Sequence, residues 1–145
     1  MKKQKIRARQ RAREMAVQAI YQRFIANQEM SAVEAQFRAI IKTDKVDVEY
    51  FADLIQGVEK NCSVIDMEFT PYLDRKLSEL NPVERSILRL SSYEMLFCLE
   101  IPFKIIIEEA VLLAKTFGAQ DSYKYVNGVL NQLANKIRLQ EKSES

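Results

Sequence analysis

The residues best suited to chemistry stand at the start of the chain. Seven of the first thirteen residues are basic, and the first acidic residue is Glu14. Four of the seven are arginines at alternate positions, Arg7, Arg9, Arg11 and Arg13. The planar guanidinium group of arginine can bind a phosphate through two parallel hydrogen bonds, which a lysine ammonium cannot do. A short, dense run of this kind is typical of a segment that binds polyanions, and residues 1–13 are called the basic arm below.

A basic terminus can also be a solvated tail that only aids solubility. In this chain, however, the run continues without a break into a segment with helical periodicity, in which apolar residues recur on one face (Ala16, Ala19, Ile20 and Phe24). Arg9 and Arg13 are four residues apart, as are Arg7 and Arg11, so each pair would form a ridge on the helix. We therefore expect the helix to bury its apolar face and the arginines to project from a fixed base. Their clustering at one end of the helix disfavours binding to a membrane surface.

A search for catalytic chemistry finds little. The sequence contains no histidine, which removes the most common general base and the most common metal ligand. The three glycines stand far apart and form no phosphate-binding loop. Glu108 and Glu109 are adjacent, so on a helix they would point about 100° apart and lie on a solvated face. We predict no catalytic residue, no metal site and no cofactor.

The second informative stretch surrounds Asp121. Asp121 and Ser122 are predicted to open the last helix, and a helix N-terminus offers unpaired N–H groups to an anion. Lys124 adds a positive charge, while Tyr123 and Tyr125 offer rings on which an unstacked base could lie. The alternative is that Asp121 only caps the helix and that the tyrosines pack inward. The residues themselves leave both interpretations open.

Composition predicts an all-α, cytoplasmic protein. The chain has 145 residues, of which 48% are hydrophobic, and only three are glycine and three proline, which leaves few turns for a many-stranded sheet. No apolar run approaches the roughly 20 residues of a membrane span, and no apolar signal core follows the basic start. Cys62 and Cys98 stand among apolar neighbours without metal-ligand spacing, so we expect two reduced cysteines in the core.

The periodicity predicts about seven helices. We expect side-chain caps at the starts of four of them, at Ser31 with Glu34, at Asp47, at Ser63 and at Asn81 before Pro82. Pro71 predicts a boundary or kink in the fourth helix.

Further expectations concern the second half of the chain. The segment from Phe103 to Phe117 is apolar almost all round, which predicts the centre of the bundle. We expect Gly118 to end this helix in a left-handed conformation, and Gly128 to allow close packing of the last helix. Residues 139–145 are predicted to be a frayed polar tail.

Two stretches together resemble the NusB family of bacterial transcription antitermination factors, namely Arg9–Tyr21 and Phe117–Leu130. Shorter similar segments are Asp47–Phe51, Pro71–Leu73 and Val83–Arg89, and the resemblance covers essentially the whole chain. It implies an all-helical fold of two small packed bundles that form one compact unit. The N-terminal bundle with the basic arm would occupy residues 1–60, and the C-terminal bundle residues 61–145.

The resemblance also implies a function. NusB proteins bind the single-stranded boxA element of nascent ribosomal RNA leaders together with NusE, a ribosomal protein, and join RNA polymerase in an antitermination complex. The implied RNA-binding residues are Arg7, Arg9, Arg11, Arg13, Tyr21, Tyr72, Asp121, Ser122, Lys124 and Tyr125. Glu84, with Tyr21, would lie where NusE docks. The sequence departs from the family pattern at Gln10, which interrupts an arginine triplet, and at Tyr123, where we expected histidine.

The other possible functions differ in their partner. The chain could be an accessory RNA-binding module like the one fused to ribosomal RNA methyltransferases, or it could be a helical adaptor whose basic arm binds an acidic protein. Some members of the family form homodimers, and the sequence does not decide whether this chain does. Residues 14–145 carry 15 basic and 20 acidic residues, so we expect modest RNA affinity without a basic partner.

Overall fold

The computed structural model describes residues 2–139 and 141, and it confirms the predicted all-α fold class. The described residues form seven α-helices and two short 3-10 turns, Thr70–Tyr72 and Leu77–Glu79, with no strand among them. The helices are α1 (Lys2–Ala26), α2 (Met30–Ile40), α3 (Val48–Lys60), α4 (Cys62–Phe69), α5 (Pro82–Phe97), α6 (Phe103–Phe117) and α7 (Ser122–Ile137). No helix in the described ranges combines the length and the apolar character that a membrane crossing requires.

The centre of the fold is α5, and not α6 as the sequence predicted. Eleven of the sixteen residues of α5 are buried, and this helix contacts α1, α3, α4, α6 and α7. In α6, by contrast, the side chains of Ile105 and Leu112 are 41% and 50% exposed. The prediction was wrong because α5 buries polar residues, such as Glu94 and Ser92, that make its sequence look like that of a surface helix.

Helix α1 lies along α5 in the antiparallel direction. About halfway along α1, the Nε atom of Arg13 lies 2.9 Å from Oε2 of Glu94. Near its end, the ring of Phe24 lies beneath the guanidinium group of Arg85, 4.4 Å from the ring centre. The single hydrophobic core also includes residues from both predicted bundles, for example Phe51 and Leu130. The division at residues 60 and 61 remains a prediction.

Two of the predicted helix caps are confirmed. The carboxylate of Asp47 accepts a hydrogen bond from the N–H of Tyr50, 3.0 Å away, and the side chain of Asn81 accepts one from the N–H of Val83, 2.8 Å away. The predicted boundary at Pro71 is also confirmed, because α4 ends at Phe69.

The predicted caps at Ser31 and Ser63 are wrong. Helix α2 already begins at Met30, whose side chain is buried, so Ser31 lies inside the helix. Helix α4 begins at Cys62, directly after Asn61, which is also the residue that ends α3. With no loop between these two helices, Ser63 is likewise a helical residue.

The glycine predictions are also corrected. Gly118 ends α6 with a φ of −88°, in an extended conformation, and the left-handed residue at this junction is Asp121, with a φ of 72°. A Cβ atom added at Gly128 would meet nothing within 4 Å, so close packing does not explain this glycine. At Gly57, an added Cβ would lie 2.2 Å from the ring of Tyr93, which makes this the position where a glycine allows close packing.

The predicted frayed tail is corrected at residue 141. The carboxylate of Glu141 accepts hydrogen bonds from the N–H of Phe103, at 2.7 Å, and from Arg138, at 2.6 Å. The buried Arg138 in turn donates to carbonyl oxygens at the end of α5, including that of Met95. Such contacts satisfy carbonyls that a helix leaves unpaired at its C-terminus. Residues 140 and 142–145 lie outside the described residues. Both cysteines are free, Cys98 being buried and Cys62 half-buried.

Candidate nucleic-acid interface

The outer part of the basic arm is an exposed helix with free cations. Residues 2–7 are exposed in the first turns of α1. Lys2, Lys3, Lys5 and Arg7 form no ion pair with another described residue. Arg11 pairs with Glu14 at 3.0 Å, but its side chain is half exposed, and such surface pairs exchange readily for another anion. The outer arm therefore offers a row of positive charges to a polyanion.

The inner part of the arm is held from two sides. The N–H of Asp47, which caps α3, donates to the carbonyl of Ala8 at 3.1 Å, and the ring centre of Tyr50 in α3 lies 4.2 Å from the guanidinium carbon of Arg9. From α6, the carboxylate of Glu109 accepts a hydrogen bond from Gln10 at 3.0 Å. These contacts fix the direction in which the exposed cations leave the molecule. The sequence predicted that Glu109 would lie on a fully solvated face, and these contacts show that this prediction is wrong.

The sequence predicted that Arg13 would project into solvent, but it does not. Its side chain is only 5% exposed. Its guanidinium group forms an ion pair with Glu94, at 2.9 Å, and lies 3.8 Å from Glu109. The hydroxyl of Tyr50 donates a further hydrogen bond to Glu94. Arg13 therefore joins α1 to α5 and α6, whereas the exposed arginines of the arm face outward.

Burial and the neighbouring charges act in opposite directions on the pKa values of Glu94 and Arg13. Burial raises the pKa of Glu94 above its usual range, although Arg13 and Tyr50 both favour the charged form. Burial alone would lower the pKa of Arg13, but Glu94, Tyr50 and Glu109 together raise it. Burial and the neighbouring Glu94 also raise the pKa of the Tyr50 hydroxyl, which keeps it protonated as a hydrogen-bond donor.

At the start of α7, two predicted site residues bind each other. The hydroxyl of Ser122 donates to Oε2 of Glu84, 2.7 Å away, and both residues are buried. Asp121 makes no capping hydrogen bond through its side chain, which contradicts the alternative that it only caps the helix. Its exposed carboxylate lies 3.5 Å from Nζ of Lys124 instead. The positive charge of Lys124 is thus partly offset by its neighbour.

Aromatic side chains surround this second cluster. The hydroxyl of Tyr125 accepts a hydrogen bond from the N–H of Asp74 at 3.3 Å, and Arg75 lies over its ring at 4.9 Å. Burial raises the pKa of this hydroxyl. Tyr72 is half-buried in the 3-10 turn that packs on α7, just before Asp74. Tyr123 has the ammonium groups of Lys115 and Lys124 at 4.8 and 5.9 Å from its ring centre.

Two cations in this region were not singled out from the sequence, Arg75 and Lys115. Arg75 lies fifty residues before Tyr125 in the chain, and no local pattern relates the two. Tyr21 is 37% exposed and lines an apolar groove with Val83 and Phe117. It therefore lies near Glu84, at the same end of α5.

The predicted site residues form two clusters and not one. Arg7, Arg9, Arg11 and Arg13 lie toward the C-terminal end of α5, where Glu94 holds Arg13. Tyr21, Tyr72, Glu84, Asp121, Ser122, Lys124 and Tyr125 lie toward its N-terminal end, where Glu84 holds Ser122. Glu84 and Glu94 are ten positions apart in α5, which corresponds to about 15 Å along the helix axis. A single strand that touched both clusters would have to run along the molecule.

Within residues 2–139 and 141, no group of three or more cysteine or acidic side chains is arranged to hold a metal ion. A helical bundle with an exposed cationic helix start and a separate cluster of tyrosines belongs to the class of proteins suited to bind a flexible polyanion.

Comparison with known proteins identifies the family. The sequence matches the NusB family over residues 10–135, and the chain belongs to that family. The transcription antitermination protein NusB of Legionella pneumophila (strain Corby) is 47% identical over 143 residues, which cover 99% of this chain and 97% of that protein. The structure of T. maritima NusB has a TM-score of 0.79 at 32% identity and covers 94% of this chain and 96% of its own. A further structure, described as antitermination factors NusB and NusE in complex with dsRNA, shares the fold with a TM-score of 0.77 at 23% identity, covering 87% of this chain and 95% of its own.

Proposed function

We propose that this protein is an RNA-binding transcription antitermination factor. It binds the boxA element of a nascent ribosomal RNA leader together with NusE and joins the RNA polymerase antitermination complex in the cytoplasm. It acts by binding and carries out no catalysis. Membership of the NusB family and the names of the relatives support this proposal.

The observation that carries the proposal is the contrast within the basic arm. Four cations among its first seven residues are exposed and form no ion pair with another described residue, while its inner residues are fixed by Tyr50, Glu94 and Glu109. A fixed row of cations attracts an RNA backbone without losing much conformational freedom on binding. We assign phosphate contacts to Arg7, Arg9 and Arg11. We assign Arg13 a positioning role, since its charge is already balanced by the buried Glu94 and the half-buried Glu109.

The second cluster would contact bases. Tyr72 and Tyr125 have rings on which unstacked bases could lie, and Asp121 and Lys124 present polar groups able to bind base edges. Ser122 would act through its bond to Glu84, which fixes the start of α7. Because the residues beyond the arm are net acidic, this cluster would add specificity more than affinity.

NusE would dock beside this cluster. A mainly apolar groove of about 430 Å³ lies between α1, α2 and the facing ends of α5 and α6, and it is lined in part by Tyr21, Phe37, Val83 and Phe117. Exposed apolar surface of this kind is typical of a site for a protein partner. A basic partner would also reduce the repulsion between RNA and the acidic part of the chain.

Titration of boxA RNA and scrambled RNA across a salt series tests the proposal, for the intact chain and for Arg7→Ala/Arg9→Ala/Arg11→Ala, with and without NusE. We expect the triple variant to lose affinity and to show a shallower salt dependence, and NusE to tighten binding to boxA RNA more than to scrambled RNA. Arg38→Ala, which removes an exposed arginine of α2, is the matched control. Equal binding of both RNAs in every arm would refute the proposal.

A further inference from the structure

A groove lies between the first turns of α1 and the loop that joins α2 to α3. It is lined by Lys3, Gln4, Arg7, Arg11, Asp44 and Lys45. Lys3, Arg7 and Arg11 are four residues apart, so they form one ridge of α1 and make up one wall. Lys45 adds a cation from the opposite wall, and Asp44 is the one acidic residue among the lining residues.

The loop that carries Lys45 is fixed against α1. The N–H of Asp47 donates to the carbonyl of Ala8 in α1, and Val46 is half-buried against the core. The N–H groups of Lys45 and Val46 both donate to the carbonyl of Lys42, at 3.0 and 3.2 Å, which closes a tight turn. The backbone of Lys45 therefore needs little further ordering when a ligand binds.

We propose that this groove binds the phosphodiester backbone of RNA, with Lys45 as its cation on the loop side. The proposal rests on the RNA-binding function proposed above and adds a residue outside the basic arm. Lys45 is exposed and forms no ion pair with another described residue, so its charge is available to a phosphate. Cations on both walls suit a strand that carries a negative charge at every residue.

The carboxylate of Asp44 allows a second test, in which the expected change in RNA affinity is opposite to that at Lys45. Asp44 lines the same groove, so it repels a phosphate that the lysine attracts. Removal of the two charges should therefore change RNA affinity in opposite directions. Both side chains are exposed, so neither substitution is expected to disturb the fold.

The experiment measures boxA RNA binding to Lys45→Ala and Asp44→Asn across a salt series. Lys60→Ala is the control, because Lys60 is an exposed lysine at the far end of α3 from the groove. We expect Lys45→Ala to weaken binding severalfold and to reduce the slope of log K against log salt by about 0.7, the value for one contact to a single strand. Asp44→Asn should strengthen binding, and Lys60→Ala should change neither quantity.

The failure of this proposal differs from that of the proposed function. If Lys45→Ala and Asp44→Asn both behave like Lys60→Ala while Arg7→Ala still reduces the salt slope, the groove is refuted and the arm remains an RNA-binding element. If the intact chain binds boxA RNA no more tightly than scrambled RNA, the proposed function itself is refuted. If polyglutamate displaces the RNA and Lys45→Ala weakens both ligands equally, the groove is a site for acidic protein and its assignment to RNA is refuted.

Discussion

The two ends of α5 carry similar side chains in different arrangements. At the C-terminal end, the buried Arg13–Glu94 pair anchors the basic arm, whose cations within residues 2–7 form no ion pair with another described residue. At the N-terminal end, the buried Ser122–Glu84 pair lies at the start of α7, where Lys124 has Asp121 as a neighbour. In each case a buried polar contact supports the backbone that presents the exposed groups. The exposed charge is strongly positive at the arm and nearly balanced at α7.

This comparison separates two roles of a charged side chain, structural contact and exposed charge, that residue type alone does not distinguish. Arginine serves as a structural contact at position 13 and as an exposed cation at position 7, although both belong to one basic run. An exposed, unbalanced charge provides long-range attraction that depends on salt, whereas a balanced polar cluster acts at short range. The arm should therefore govern affinity, and the α7 end should govern which bases are accepted.

The largest effect is expected for Arg13→Ala, which tests whether the inner arm is structural. It leaves Glu94 as a buried carboxylate without its cation, and loss of one partner of a buried pair costs about 3–5 kcal/mol. Urea unfolding measures this change. The control is Arg11→Ala, whose exposed pair with Glu14 should contribute less than about 1 kcal/mol. If the two variants were equally stable, Arg13 would not have the positioning role assigned to it.

Ser122→Ala applies the same test to the α7 end. Glu84 would lose its buried donor, which we expect to lower the free energy of unfolding by about 1–3 kcal/mol. Thermal or urea unfolding measures the loss, with Ser78→Ala, an exposed serine in a 3-10 turn, as the matched control. Unchanged stability combined with weaker RNA binding would show that Ser122 contacts RNA directly. The two ends of α5 would then no longer share a buried polar contact with a structural role.

A smaller effect should separate the exposed charges of the two ends. Arg7→Ala/Arg11→Ala removes two arm cations, each worth up to about 1 kcal/mol of binding, and should reduce the RNA salt slope by about 1.4. Lys124→Ala should reduce the slope less than Arg7→Ala alone does, since Asp121 lies 3.5 Å from Lys124, whereas Arg7 forms no ion pair with another described residue. Fluorescence anisotropy at several salt concentrations measures both slopes. Equal slopes per removed charge would contradict the division between affinity and specificity.

The smallest effect concerns the stability of α7 itself. Gly128 lies inside this helix, and a Cβ atom there would meet no neighbour, so Gly128→Ala should stabilise the protein by up to about 1 kcal/mol. Thermal unfolding measures the gain, and the RNA salt slope should not change. A loss of RNA affinity would show that the α7 end needs a flexible helix in order to bind.

The fold was largely predictable because helical periodicity and capping are local properties of the chain. The spacing of apolar residues predicted seven helices, and Asp47 and Asn81 marked two of their starts. The exposed cations within residues 2–7 were also predictable, since no acidic residue precedes Glu14 in the sequence. The caps at Ser31 and Ser63 failed because tertiary packing set the helix boundaries there.

The sequence by itself determined that the chain is helical and that it begins with a dense cationic segment. Only the tertiary structure decided which arginine is buried, which helix is central and which loop completes the basic groove. The physical reason is that the partner of a charged side chain is chosen by contacts between distant parts of the chain. Arg13 and Glu94 are 81 residues apart, and no periodicity relates them. Charge is a property of residue type, whereas its availability depends on what packs beside it.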